Sequence, residues 1–147
     1  MEQGSFQKAM RVFLDANILF SASLPKSHLA LFLEGLGGHA ELLSNVYACE
    51  EAERNLAIKF PRSLPVFQKL CGVIELVPIG IFDSGVRLAE KDQPILCGAI
   101  AGKADYLLTG DKKDFGHLFG KSIGGVAVVS VELLLRELVD QGVLENP

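Results

Sequence analysis

Two acidic side chains in this sequence stand where an apolar run stops. Met10 to Leu14 reads MRVFL and ends at Asp15. Tyr106 to Leu108 reads YLL and leads through Thr109-Gly110 to Asp111, with Asp114 three residues on. Buried strands do not gather free carboxylates at their ends without compensation, because like charges held close repel and raise one another's pKa. Several carboxylates on one edge call for a cation. An all-oxygen ligand set suits Mg²⁺ or Mn²⁺ rather than zinc. Such ions act as Lewis acids on phosphates and acidify water.

Elements must carry these residues to one place. Short apolar runs alternate with helical patterns along the chain. Strands are expected at Met10–Leu14, Glu41–Leu43, Val73–Val77, Tyr106–Leu108 and Val126–Val129. Helices are expected at Ala30–Leu36, Val46–Lys59, Leu64–Cys71, Ile95–Ala101 and Val131–Leu138. Ile95, Leu96, Ala99 and Ile100 share a helical face, and Ser130 is placed to cap the last helix. The alternation predicts an α/β fold, a three-layer α/β/α sandwich whose central, mostly parallel sheet is flanked by helices. In such sheets ligands collect at the carboxyl ends of the strands. Asp15 and Asp111, 96 positions apart, would then share one edge.

Composition bounds the class. The 147 residues fit one domain, expected over residues 10–141 between a flexible segment 1–9 and a tail 142–147. Apolar residues make up 49% of the chain, there is no Trp, and the net charge is −4. That balance does not favour nucleic acid on charge alone, so local lysines or a bound metal must supply any attraction. Lys112 and Lys113 stand beside the acidic turn. Cys49, Cys71 and Cys97 are odd in number and form no CxxC, which argues against a disulfide framework or zinc site and for a reducing compartment. No signal peptide or membrane span is indicated, so the expected setting is the cytoplasm.

Three segments together resemble the PIN-domain nucleases: FLDANIL (Phe13 to Leu19), YACEEAERNL (Tyr47 to Leu56) and KDQPILCGAIAGKADYLLTGDKKDF (Lys91 to Phe115). The resemblance runs from Val12 to about Leu138. It implies a parallel sheet between helical layers and three or four acids that hold Mg²⁺ or Mn²⁺ and cut RNA. By position, Asp15 matches the first acid, Glu51 the second, Asp92 the third and Asp111 the fourth. Asp114 is a further acid that some members place near the metal, and Asn17 and Thr109 match polar positions that often flank the site. Glu50 and Glu53 share a helix with Glu51, and only the family spacing to Leu56 favours Glu51. The resemblance further implies a metal-dependent endoribonuclease. Many small stand-alone prokaryotic members are toxins of the VapC type paired with an antitoxin, and members often form homodimers.

Plainer roles stand beside these. Asp15 could cap the turn after its strand, and Asp92, before Pro94, could cap its helix. Gly110-Asp111 suits a polar turn. His28, His39 and His117 lack zinc-ligand spacing. One other function is a non-catalytic RNA-binding or interaction module of the same fold. Another is a phosphatase of the haloacid-dehalogenase kind, which needs an acid two residues after Asp15, where Asn17 stands.

Overall fold

The computed structural model of the chain describes residues 9–80 and 85–145. The segment expected to be flexible therefore lies outside the described residues except for Ala9, as does the end of the tail. Strand β1 (Met10–Leu14) is followed by helix α1 (Ala16–Ala22) and helix α2 (His28–Gly35). Then come β2 (Ala40–Ser44), α3 (Val46–Lys59), α4 (Leu64–Cys71) and the short β3 (Glu75–Leu76). A 3₁₀ turn, Glu90–Asp92, opens α5 (Gln93–Ala101). The chain continues through β4 (Tyr106–Leu108), α6 (Lys112–Phe115), β5 (Ser122–Ile123), β6 (Val126–Val129) and α7 (Val131–Asp140).

The sheet order is β3-β2-β1-β4-β6-β5, parallel throughout except for the antiparallel β5–β6 hairpin. The mostly parallel sheet expected from the alternation is thus present. Strand β4 has all three residues buried, and β1 buries Val12, Phe13 and Leu14, as strands covered on both faces must. Crossovers between parallel strands are right-handed as a rule, which puts α1 to α4, on the path from β1 through β2 to β3, on one face. The next crossover runs back to β4 and puts α5 on the other. Contacts of α1 with α2, α3 and α4, and of α5 with β4, agree with this layering. No helix among the described residues is long and apolar enough to cross a membrane.

Register brings the two acidic strand ends together. Leu14 pairs with Leu108, and the amide of Asp15 donates to the carbonyl of Leu108 at 3.1 Å. The chain moves outward from β1 in one direction and later resumes beside β1 in the other. The β1–β4 boundary is therefore the point where strand order reverses, the place where ligands of open α/β sheets collect at the carboxyl ends.

Several elements differ from their sequence expectation. Helix α1, right after Asp15, had no periodic signal in its seven residues. Its start is fixed by the Asp15 carboxylate, which accepts from the amide of Ala16. Helix α2 starts at His28, two residues early, because Ser27 caps it through the amide of Ala30. The strand expected over Val73–Val77 shrinks to Glu75–Leu76, since the amides of Val73 and Ile74 close turns onto Leu70 and Cys71. The edge strand β3 is held by Arg11 of β1, whose guanidinium reaches Glu41 and both carboxylate oxygens of Glu75 at 3.2 Å. Beyond α7, Val143 and Leu144 pack against the core.

Candidate metal centre

Asp15 leaves β1 buried, 5% exposed, and is met by donors at both oxygens. Its Oδ1 accepts from the Ala16 amide at 2.6 Å. Its Oδ2 accepts from the Thr109 hydroxyl at 2.7 Å and from the Asn17 side-chain amide at 3.2 Å. The other side of Asn17 accepts from the Gly110 amide at 2.8 Å, which clasps the end of β4 to the start of α1. The Thr109 oxygen also accepts from the Asp111 amide at 3.1 Å. Asn17 thus serves as a clasp at the position where a haloacid-dehalogenase-type phosphatase would need its second acid. Burial pushes the Asp15 carboxyl up to about 6, against the Thr109 and Ala16 hydrogen bonds, and the charges of Glu51 and Asp111 add to the rise.

Among the described residues, Asp111, Asp114 and Asp92 form a close acidic group. One carboxylate oxygen from each lies within 4.8 Å of the others. Asp111 caps α6 through the Asp114 amide at 3.0 Å, so one short helix presents two of the three. Asp92 comes from the opposite wall, at the junction of the 3₁₀ turn with α5. It sits at the capping position of α5, yet its side chain makes no capping bond. It is 7% exposed, and its Oδ2 is buried without a hydrogen-bond partner. Burial and the neighbouring Asp114 carboxylate push Asp92 up to about 7. Asp114 is held below the usual carboxylate range, chiefly by the Lys91 ammonium at 3.0 Å.

The five predicted acids therefore divide. Asp92, Asp111 and Asp114 share one cluster. Asp15 stands outside that cluster but feels the charges of Asp111 and Glu51. Glu51 is half-buried on α3, on the side facing Asp15 and Tyr47. Glu50 and Glu53 are exposed and border a different cleft, with Cys49 and Cys71. Three glutamates on one helix thus look in two directions.

Some residues around this centre give little sign of themselves in sequence. Asn45 is buried, caps α3 through the Ala48 amide and donates to the Pro94 carbonyl at 3.1 Å, joining α3 to the start of α5. Its one legible signal is an Asn immediately before a helical pattern. Gly98 lets α5 come this close, because a Cβ there would strike the Asn45 amide and the Phe13 ring. Tyr47 donates its hydroxyl to the Lys91 carbonyl at 2.6 Å, tying the helix of Glu51 to the turn of Asp92. Lys112 and Lys113 are exposed beside Asp111, and His117 is a surface residue.

The residues fit a hard divalent cation. Every candidate ligand is a carboxylate oxygen, and one buried oxygen, Asp92 Oδ2, has a place for a partner that the protein does not fill.

No protein-family model and no curated protein matches the chain. Among solved structures, it is similar to a chain of VapBC2 from Rickettsia felis bound to a DNA fragment from their promoter. The TM-score is 0.62 at 19% identity, over 82% of this chain and 98% of that one. A chain of FitAB bound to the IR36 DNA fragment aligns with a TM-score of 0.49 at 18% identity, over 82% of this chain and 94% of that one. The molecule thus shares the fold of the VapBC2 chain across nearly that chain's whole length.

Proposed function

We propose that the protein is a Mg²⁺- or Mn²⁺-dependent endoribonuclease of the PIN type, the toxin of a toxin–antitoxin pair. The observation that carries this reading is the unpartnered, buried Asp92 Oδ2 in an all-carboxylate cluster at the sheet's switch point. The fold shared with the VapBC2 chain supports it. So do the sequence segments that resemble PIN nucleases. On the same reading the partners are RNA, an antitoxin protein and a second copy of the chain, in the cytoplasm.

Asp92, Asp111 and Asp114 would hold the ion from two walls of the centre, with Asp15 and Glu51 completing the acidic set. A bound divalent ion supplies Lewis acidity that lowers the pKa of water and offsets charge at a phosphodiester. The chain's own contribution is placement. Thr109, Asn17 and the Ala16 amide fix Asp15 in one orientation, with all their donors turned toward its oxygens. Tyr47 and Asn45 fix the distance between the helix of Glu51 and the turn of Asp92. The exposed Lys112 and Lys113 offer positive charge to a polyanion beside an otherwise acidic mouth.

The test is cleavage of a mixed RNA pool by the purified chain with Mg²⁺ or Mn²⁺, alongside Asp15→Asn. Cleavage by the wild type and its loss in the variant are expected. Equal cleavage by both, or none with either metal by folded protein, overturns the proposal.

A further inference from the structure

Lys91 sits between the two walls of the acidic centre and is held at both ends. Its carbonyl accepts the Tyr47 hydroxyl of α3. Its ammonium lies 3.0 Å from Asp114 Oδ2 on α6. The Lys91 side chain is otherwise 67% exposed, whereas that of Asp114 is 17% exposed. The next residue is Asp92, with its unpartnered Oδ2. The ammonium therefore pairs with one of the three carboxylates that lie within 4.8 Å of one another and feels the charge of the other two.

We infer that Lys91 is the resident counter-ion of this centre, a built-in cation that a divalent ion displaces from Asp114. The inference rests on the metal-centre reading above. Three carboxylates this close repel one another, and a single ammonium offsets one of the three charges. It does so in a form suited to release. Lysine pairs as a compact point charge on a flexible stem, where arginine would grip a carboxylate through two parallel bonds. A divalent ion brings twice the charge and draws on several oxygens at once. The Asp114 carboxylate serves both cations, so occupation by one works against the other. The centre is thereby kept from standing fully unneutralised, and its affinity for metal is lowered by the charge it already holds.

An ordinary surface ion pair between exposed groups is worth little and would leave metal binding where it is. The two cases separate by titration calorimetry with MnCl₂ on the full chain, comparing wild type with Lys91→Gln, Lys91→Met and Lys91→Arg. Removing one positive charge a few ångströms from the ion is expected to tighten Mn²⁺ binding about tenfold in both neutral variants. Lys91→Arg, which keeps the charge, is expected to stay within about twofold of wild type. Unchanged or weaker binding in both neutral variants, with the wild type binding Mn²⁺, overturns this inference and leaves the metal centre standing. Absence of Mn²⁺ binding in the wild type and every variant overturns both.

Discussion

Replacing Asp15 with Asn in the metal-free protein tests the electrostatic reading of the centre directly. Asp15 is buried and its folded carboxyl is pushed up to about 6, so ionisation costs more in the folded state than in the unfolded one. The penalty is absent below the unfolded value of about 3.9 and grows as pH rises. It is complete above the folded value. From these two values it amounts to about 3 kcal/mol at about pH 7.5 and about 1 kcal/mol at about pH 4.5. Asn removes the penalty and keeps an oxygen for the Ala16 amide. It also turns an NH₂ group toward the Thr109 hydroxyl and the Asn17 amide, where Asp15 accepts. That donor conflict costs about 1 kcal/mol. Asp15→Asn is thus expected to be about 2 kcal/mol more stable than wild type near pH 7.5, a gain that vanishes near pH 4.5. Urea unfolding with a chelator present, from about pH 4.5 to 8, reads this as a pH-dependent gap between the two proteins. A gap that is constant with pH, or a variant less stable than wild type at pH 7.5, would refute the reasoning. It would mean that the three donors outweigh burial and hold Asp15 ionised at no cost.

Other outcomes follow from the same geometry. Asp15 and Asp92 are both pushed up, to about 6 and about 7, and must lose their protons to bind a cation. The rise in Tm on adding Mg²⁺ or Mn²⁺ is therefore expected to be larger at pH 8 than at pH 5.5, and an equal rise at both would count against these acids as ligands. Gly98→Ala is expected to cost about 2 kcal/mol of stability, since the added methyl forces α5 away from Asn45 and Phe13; urea unfolding within a few tenths of wild type would show that the helix can yield. Burial pushes the Cys71 thiol up to about 12 and raises that of Cys49. Alkylation of both by iodoacetamide at pH 8 should be several-fold slower than for a free thiol in a model peptide, as followed by mass spectrometry. Rates equal to the peptide's would place both thiols in open water.

Much of this architecture is written locally. The apolar runs ending at Asp15 and before Thr109 mark β1 and β4, because central parallel strands must be apolar on both faces. The pairing of those strands follows from the alternation of elements, and with it the meeting of Asp15 and Asp111 at one edge. Ser130 announces its helix by residue type. Other features depend on distant partners and leave no local pattern. The burial of Asp92 is set by how α5 docks against α3, through Asn45 and Gly98. That Glu51 and not Glu53 faces Asp15 depends on the rotation of α3 about its axis, which neighbouring acids do not reveal. The Lys91–Asp114 pair joins residues 23 positions apart on different elements. Helix α1 is too short for periodicity and owes its start to one carboxylate.

The margins of the sheet bear on how the protein behaves in company. Both outermost strands, β3 and β5, are only two residues long. An unpaired strand edge is a template on which a foreign chain can add itself by backbone hydrogen bonds, the first step toward swapped assemblies and fibres. Here each outermost strand offers such a template over two residues only. On one side the Arg11–Glu75 pair puts charge along the border, and on the other β5 turns back in a tight hairpin. A stray strand finds a foothold too short to hold. The apolar β1 and β4 are kept at the centre, where each is paired on both sides.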